Sequence, residues 1–347
     1  MRLKKGSLFD YIHSYLKVYL PKQRNLSDNT IRSYRQSLTL FLDFVKDTHN
    51  ISLMDVTFEM ITPDAITGFL DSLEGNRASS ISTRNNRLAA VRAFYKFVAD
   101  RDIVYAATYK QIAKIPVKKP QGTKVVKYMS EEAVAAVIAQ PDATKPKGLR
   151  DRFFMMLLYD TGARVQEIID LKLGDFRYGK SPTATLCVKN NKIRTVPLMD
   201  KTILHLKQYL GIFHSNATLA DVPLFYTTIH GQNNPMTDDC IRKFMRRYGN
   251  QARKICGEVP ENIHPHMWRH SRAMHLYQRG MDLTLVSQWL GHSQIETTLI
   301  YAHADTEHKR IAIAAAHQNG KEPIGNISPK RFTVNDEVEL KRLTGLI

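Results

Sequence analysis

Three stretches beyond residue 160, with a hairpin between the first two, gather residue types that act on phosphodiesters. In Thr161-Gly-Ala-Arg-Val-Gln-Glu-Ile-Ile-Asp-Leu171, one helix ends at Gly162 and another begins. Arg164, Glu167, Ile168 and Leu171 then share a face at i, i+3, i+4, i+7. In His264-Pro-His-Met-Trp-Arg-His270, His266 and Arg269 stand one helical turn apart, and Pro265 suits a first turn. In Leu290-Gly-His-Ser-Gln-Ile-Glu-Thr-Thr-Leu-Ile-Tyr301-Ala-His303, Gly291 closes a helix and Ser293 with Glu296 forms a capping box for the next. That pins His292 at a corner, with Tyr301 two turns further on. Thr183 to Lys189 and Lys192 to Val196 read as strands joined by the two-residue turn Asn190-Asn191, with Lys189 at its tip. Each piece has an ordinary reading alone: a surface Arg–Glu pair, a basic helix face, a core tyrosine. Together they suit transesterification at phosphorus. Guanidinium groups hold non-bridging oxygens, imidazoles move protons or donate to those oxygens, and a phenol attacks phosphorus.

Such a site needs no metal, which accounts for histidines without carboxylates. His264, His266, His270, His275 and His292 invite a metal reading, but Met267 stands where HExxH needs Glu. No metal and no cofactor are therefore expected. Gly174-Asp-Phe-Arg-Tyr-Gly-Lys-Ser181 matches a phosphate-loop pattern, yet a helix precedes it and a strand follows, the reverse of what phosphate binding requires. Cys187, Cys240 and Cys256 are too scattered for a disulfide framework or a thiolate zinc site.

The 347 residues carry a formal charge of +17, a surplus that calls for a polyanionic partner, nucleic acid foremost. The excess is not a tail: the first 120 residues hold 19 basic against 11 acidic side chains, about half of it. No apolar run reaches the ~20 residues of a membrane span, and the basic N-terminus lacks the apolar stretch of a signal peptide, so a cytoplasmic location is expected.

The elements that must position these groups are mainly helical. Ser27-Asp28 starts a helix with Ile31, Tyr34, Leu38, Phe41 and Val45 as its stripe; Thr62-Pro63 starts one that ends near Gly75. Ser79-Ser80 precedes another, carrying Ile81, Leu88, Val91, Phe94 and Val98, and a short helix covers about 105–114. Pro116 to Lys127, with two prolines and four lysines, reads as a basic linker. Ser130 opens the second domain; helices follow near 147–159 and 163–171, then the hairpin, then helices from 199 to 317. A polar helix candidate lies near 335–344. The expected fold is mainly α with a small β-hairpin (α+β), in segments 1–115, 116–128 (linker), 129–317 and a tail 318–347.

The order Arg164, Lys189, His266-x-x-Arg269, Leu290-Gly-His292, Tyr301 resembles the tyrosine recombinase (phage integrase, Xer-like) family, strongly over about 130–317. Residues 8–115 more loosely resemble that family's SAM-like core-binding domain. The resemblance implies a catalytic set of Arg164, Lys189, His266, Arg269, His292 and Tyr301. Arg164 and Arg269 would bind phosphate, His266 would serve as acid/base, His292 would donate to phosphate and Tyr301 would become a 3′-phosphotyrosine. Lys189 would protonate the leaving 5′-oxygen, with Lys192 as rival because Val-Lys-Asn-Asn-Lys-Ile-Arg departs from the common Gly-Lys-Gly-x-Lys. Glu167 would orient the arginine side, and Trp268, replacing a common Leu, affects packing. Arg32, Arg35, Arg87, Lys118, Lys119, Lys124 and Lys127 are candidate DNA contacts.

The expected partner is double-stranded DNA bearing recombination sites, bound by two to four copies of the chain, with no membrane and no small-molecule cofactor. Ile311-Ala-Ile-Ala-Ala-Ala316 and the final segment with Val338, Leu340 and Leu343 are implied to dock on a neighbouring copy. The alternatives are a type IB topoisomerase-like activity, which would relax DNA without paired sites, and a non-catalytic DNA-binding factor.

Overall fold

The computed structural model describes residues 6–76, 78–119, 126–188, 192–215, 220–292, 294, 296–304, 310 and 336–346. The chain divides into two compact units, 1–123 and 124–347.

The first unit is helical. α1 (Leu8–Ser14) runs into a π-helical stretch, Tyr15–Gln23, that contains Pro21. α2 (Asp28–His49), α3 (Pro63–Gly75), α4 (Ile81–Ala99) and α5 (Ala106–Ala113) follow. The starts are fixed locally. Thr62 Oγ1 accepts the Ala65 amide at 3.1 Å and Ser80 Oγ accepts that of Thr83 at 3.2 Å, each satisfying a donor that the first helical turn leaves open. The buried stripes of α2 (Leu38, Phe41, Val45), α3 (Ile66, Phe69, Leu70) and α4 (Leu88, Val91, Phe94, Val98) meet in one core.

The second unit opens with α6 (Glu131–Ala139), capped by Ser130, and α7 (Pro146–Thr161), the most buried of its helices. α8 (Val165–Ile169) is short, so Leu171 lies beyond it and Arg164 is its N-cap rather than an interior residue. β1 (Phe176–Arg177), β2 (Thr183–Val188) and β3 (Lys192–Pro197) form an antiparallel sheet in that order. The register pairs Val188 with Lys192, so three residues, 189–191, join the strands where two were expected. Alternation sends Ala184, Leu186 and Val196 into the core and leaves Ile193 in solvent.

α9 (Asp200–Phe213) is followed by a second hairpin, β4 (Tyr226–Ile229) with β5 (Gln232–Pro235). Helices dominate 199–304 as expected, and that hairpin is the interruption that was not foreseen. Its β5, Gln-Asn-Asn-Pro, is fully exposed and carries no apolar alternation for a reader to find. α10 (Asp238–Arg253), α11 (Pro265–Gln278), α12 (Leu283–Leu290) and α13 (Glu296–Ala304) complete the unit, and a separate helix, α14 (Glu337–Leu343), has no buried residue. The run Ile311–Ala316 lies outside the described residues, as does Ser293 of the expected capping box.

Candidate active site

Helix ends build the site. Gly162 caps α7 in the left-handed region at φ 57°, and a Cβ there would stand 3.0 Å from Leu290 Cδ2, so glycine fits both conformation and space. Gly291 caps α12 in the same way at φ 65°. Helix C-termini leave carbonyls unpaired and carry partial negative charge. Arg269, on α11, joins the two ends: Nη1 donates to Gly162 O at 2.8 Å and Nη2 to Leu290 O at 2.6 Å. It is 4% exposed. Burial, then the charges of Arg164 and Arg194, pull its guanidinium down to about 9, still cationic at neutral pH.

Arg164 sits at the start of α8. Glu167 Oε2 accepts its backbone amide at 3.1 Å and Oε1 accepts its Nη1 at 2.8 Å. Glu167 therefore orients Arg164, while part of the guanidinium stays open to solvent. The same carboxylate takes Arg194 Nη2 at 2.9 Å. Burial opposes ionisation of Glu167, but Arg194 and Arg164 override it and hold the carboxyl below its usual range.

Two arginines thus share one carboxylate with a third, Arg269, close by, and the histidines among them are held neutral. His292, just past the α12 cap, has Nδ1 2.8 Å from Thr298 Oγ1 of α13. Burial, then Arg269 and Arg164, push it down to about 4. His266 is also lowered, by partial desolvation first and then by His264, Arg269, Arg242 and Arg164. Tyr301 is fully buried in a cluster with Ala273, Met274, Val286 and Leu290. Burial raises its phenol to about 12. Its Oη lies 2.9 Å from Nδ1 of His270.

Arg164, Glu167, His266, Arg269, His292 and Tyr301 are thus brought into one neighbourhood, seen in the charges that act between them. Lys189 lies outside the described residues, and only the backbone of Lys192 is described. Two participants escaped the sequence reading. Arg194 had a signal: it occupies the same strand face as Val196, opposite Leu186, where an apolar residue is expected. His270 had a weaker one, its position four residues after His266 on α11.

The candidate DNA contacts divide. Arg32 and Arg35 are exposed on α2, and Lys119 and Lys127 are exposed. Arg87 instead ties α4 to α2, donating to Ser37 Oγ at 2.9 Å and Gln36 Oε1 at 3.0 Å. Lys118 pairs with Glu74 at 2.8 Å. Lys124 lies outside the described residues.

A cationic, partly desolvated cluster with neutral imidazoles and a phenol is suited to an anionic, tetrahedral substrate group that transfers to oxygen. Among the described residues, no group of His, Cys, Asp and Glu could hold a metal ion.

Comparison with known proteins points the same way. The phage integrase family model matches residues 127–308, and the phage integrase N-terminal SAM-like domain matches residues 12–102. The chain is 31% identical to tyrosine recombinase XerD of Staphylococcus haemolyticus, covering 84% of this chain and 93% of that one. It is 28% identical to the putative integrase/recombinase y4rC of Sinorhizobium fredii, covering 90% and 92%. Its fold is similar to XerH site-specific recombinase bound to palindromic difH substrate in a post-cleavage complex (TM-score 0.64, 24% identity, 88% and 85% covered). It is also similar to the Tn1549 transposon integrase in complex with transposon right end DNA (TM-score 0.64, 16% identity, 87% and 98% covered).

Proposed function

This chain belongs to the phage integrase family and is a tyrosine recombinase, and we propose that it cuts and rejoins DNA at specific sites through a 3′-phosphotyrosyl bond at Tyr301. The observation that carries the assignment is the arginine pair, Arg164 and Arg269, set by Glu167 and by two helix ends beside His266, His292 and Tyr301.

In this reading, Arg164 and Arg269 hold the non-bridging oxygens and stabilise the charge that builds on the pentacovalent phosphorus. His292 donates to the same oxygens, and His266 handles a proton. The Tyr301 oxygen forms the new P–O bond as the bond to the 5′-oxygen breaks. A hairpin lysine, Lys189 before Lys192, supplies the proton to that leaving oxygen. The new ester keeps the energy of the old one, so reversal rejoins the strands without ATP.

The partner is duplex DNA. Of two proteins that share the fold, the Tn1549 integrase was solved in complex with transposon right end DNA, and XerH bound to its palindromic difH substrate. Two strand exchanges need four cuts, one for each Tyr301, so two copies bind each site and four act together on paired sites. No helix among the described residues is long and apolar enough to cross a membrane, and we place the protein with the DNA of the cytoplasm.

The test uses a nicked suicide substrate that traps the covalent complex. Wild type should form an adduct and Tyr301→Phe should bind the DNA without forming one. An adduct on Tyr301→Phe removes that residue as the nucleophile. Supercoil relaxation without exchange between two paired sites would instead identify a topoisomerase.

A further inference from the structure

We infer that Arg194 is a positioning residue that fixes the lysine-bearing hairpin to the phosphate-binding arginines and to the carbonyl end of α12. The inference rests on the recombinase reading above.

Arg194 stands on β3 opposite Leu186, two residues from Lys192. Its strand partners on the inner face are apolar and buried, yet its own side chain is only 9% exposed, so a full charge has been taken into the protein. A buried guanidinium is costly unless it is paired. Arg194 pairs both of its Nη atoms with groups from two other elements, while its Nε is buried without a hydrogen-bond partner. Nη2 reaches Glu167 Oε2 at 2.9 Å, and Nη1 donates to Trp289 O.

Those two partners belong to the active site. Glu167 is the carboxylate that grips Arg164 through both its amide and its guanidinium. Trp289 O is next to Leu290 O, which Arg269 holds, and His292 follows two residues later. Arg194 and Arg269 therefore take consecutive carbonyls of one helix end, one from the hairpin and one from α11. Below Arg194 the hairpin is fastened by the apolar contacts of Ala184, Leu186 and Val196. Nearer the tip, this guanidinium adds a polar attachment to α8 and to the end of α12.

Breaking it leaves Arg164 with both of its bonds to Glu167, so phosphate binding persists. What is lost is the fixed distance between the hairpin and the phosphate. A displacement of about 1 Å in a catalytic group can cost on the order of 100-fold in rate. Lysine cannot replace arginine here, because a single ammonium does not span a carboxylate and a carbonyl in a fork.

The experiment compares Arg194→Lys and Arg194→Ala with wild type in single-turnover cleavage of two suicide substrates. One has the natural 5′-bridging oxygen; the other has sulfur there, which leaves without being protonated. Expected for both variants is a loss on the order of 100-fold on the oxygen substrate, a loss of only a few-fold on the sulfur substrate, and DNA affinity within a few-fold of wild type. Equal losses on the two substrates would reduce Arg194 to a residue that only supports the fold, as would full activity on both. The lysine variant keeps the stem and the charge and so decides the matter if the alanine variant does not fold. Failure of the recombinase reading is seen separately, because wild type would then form no adduct on either substrate.

Discussion

Tyr301 Oη lies 2.9 Å from Nδ1 of His270, with the two rings edge to face. Burial, then the charges of His266 and Arg269, lower His270 to about 4, and burial raises Tyr301 to about 12, so both are neutral at pH 7. With its proton on Nε2, the imidazole accepts the phenolic hydrogen. Arginines and protonated lysines cannot do this, because they are donors only.

Acid should therefore destabilise the fold through its histidines. The folded values of His270 and His292 lie below the ordinary 6.5, so the stability they contribute is present above about pH 6.5 and is lost as the pH falls toward 4. After discounting for solvent screening, each contributes on the order of 1–2 kcal/mol. Thermal melts between pH 7 and pH 4.5 should show Tm falling, less steeply for His270→Asn, whose amide stays uncharged. An unchanged slope in that variant counts against the assignment.

The hairpin lysines can be separated chemically. Lys189→Ala should slow cleavage of ordinary DNA far more than cleavage of a 5′-bridging phosphorothiolate. If Lys192→Ala shows that rescue and Lys189→Ala does not, Lys192 is the acid.

Salt dependence should report the phosphate contacts. Each neutralised phosphate contributes a log–log slope of about −0.9. Replacing the exposed Lys119 and Lys127 by alanine should lower affinity and flatten the slope by up to about 1.8, without altering the preferred site, since phosphate contacts position rather than specify. A new preferred sequence with the old slope contradicts this. Lys118→Ala should matter less, because its ammonium already serves Glu74.

The tail is tested by truncation after His317. α14 presents Val338, Leu340 and Leu343 to solvent, a modest apolar area suited to a weak contact formed on DNA. Single-site binding should survive and assembly on paired sites should fail. Normal recombination by the truncated chain removes the tail from subunit exchange.

Much of this was legible in the sequence because the signals are short-range. Thr62-Pro63 and Ser80 announce helix starts through their own backbone geometry, and Gly162 and Gly291 announce ends. The order of Arg164, His266-x-x-Arg269, Leu290-Gly-His292 and Tyr301 pointed to the family that the family model matches. The tertiary structure alone decided who pairs with whom. Arg194 meets Glu167 across 27 residues and Trp289 across 95, Arg269 meets Gly162 across 107, and Tyr301 meets His270 across 31. No local periodicity encodes such pairs. They form because buried charges and open helix-end carbonyls must find partners, and only the folded chain brings those partners within reach.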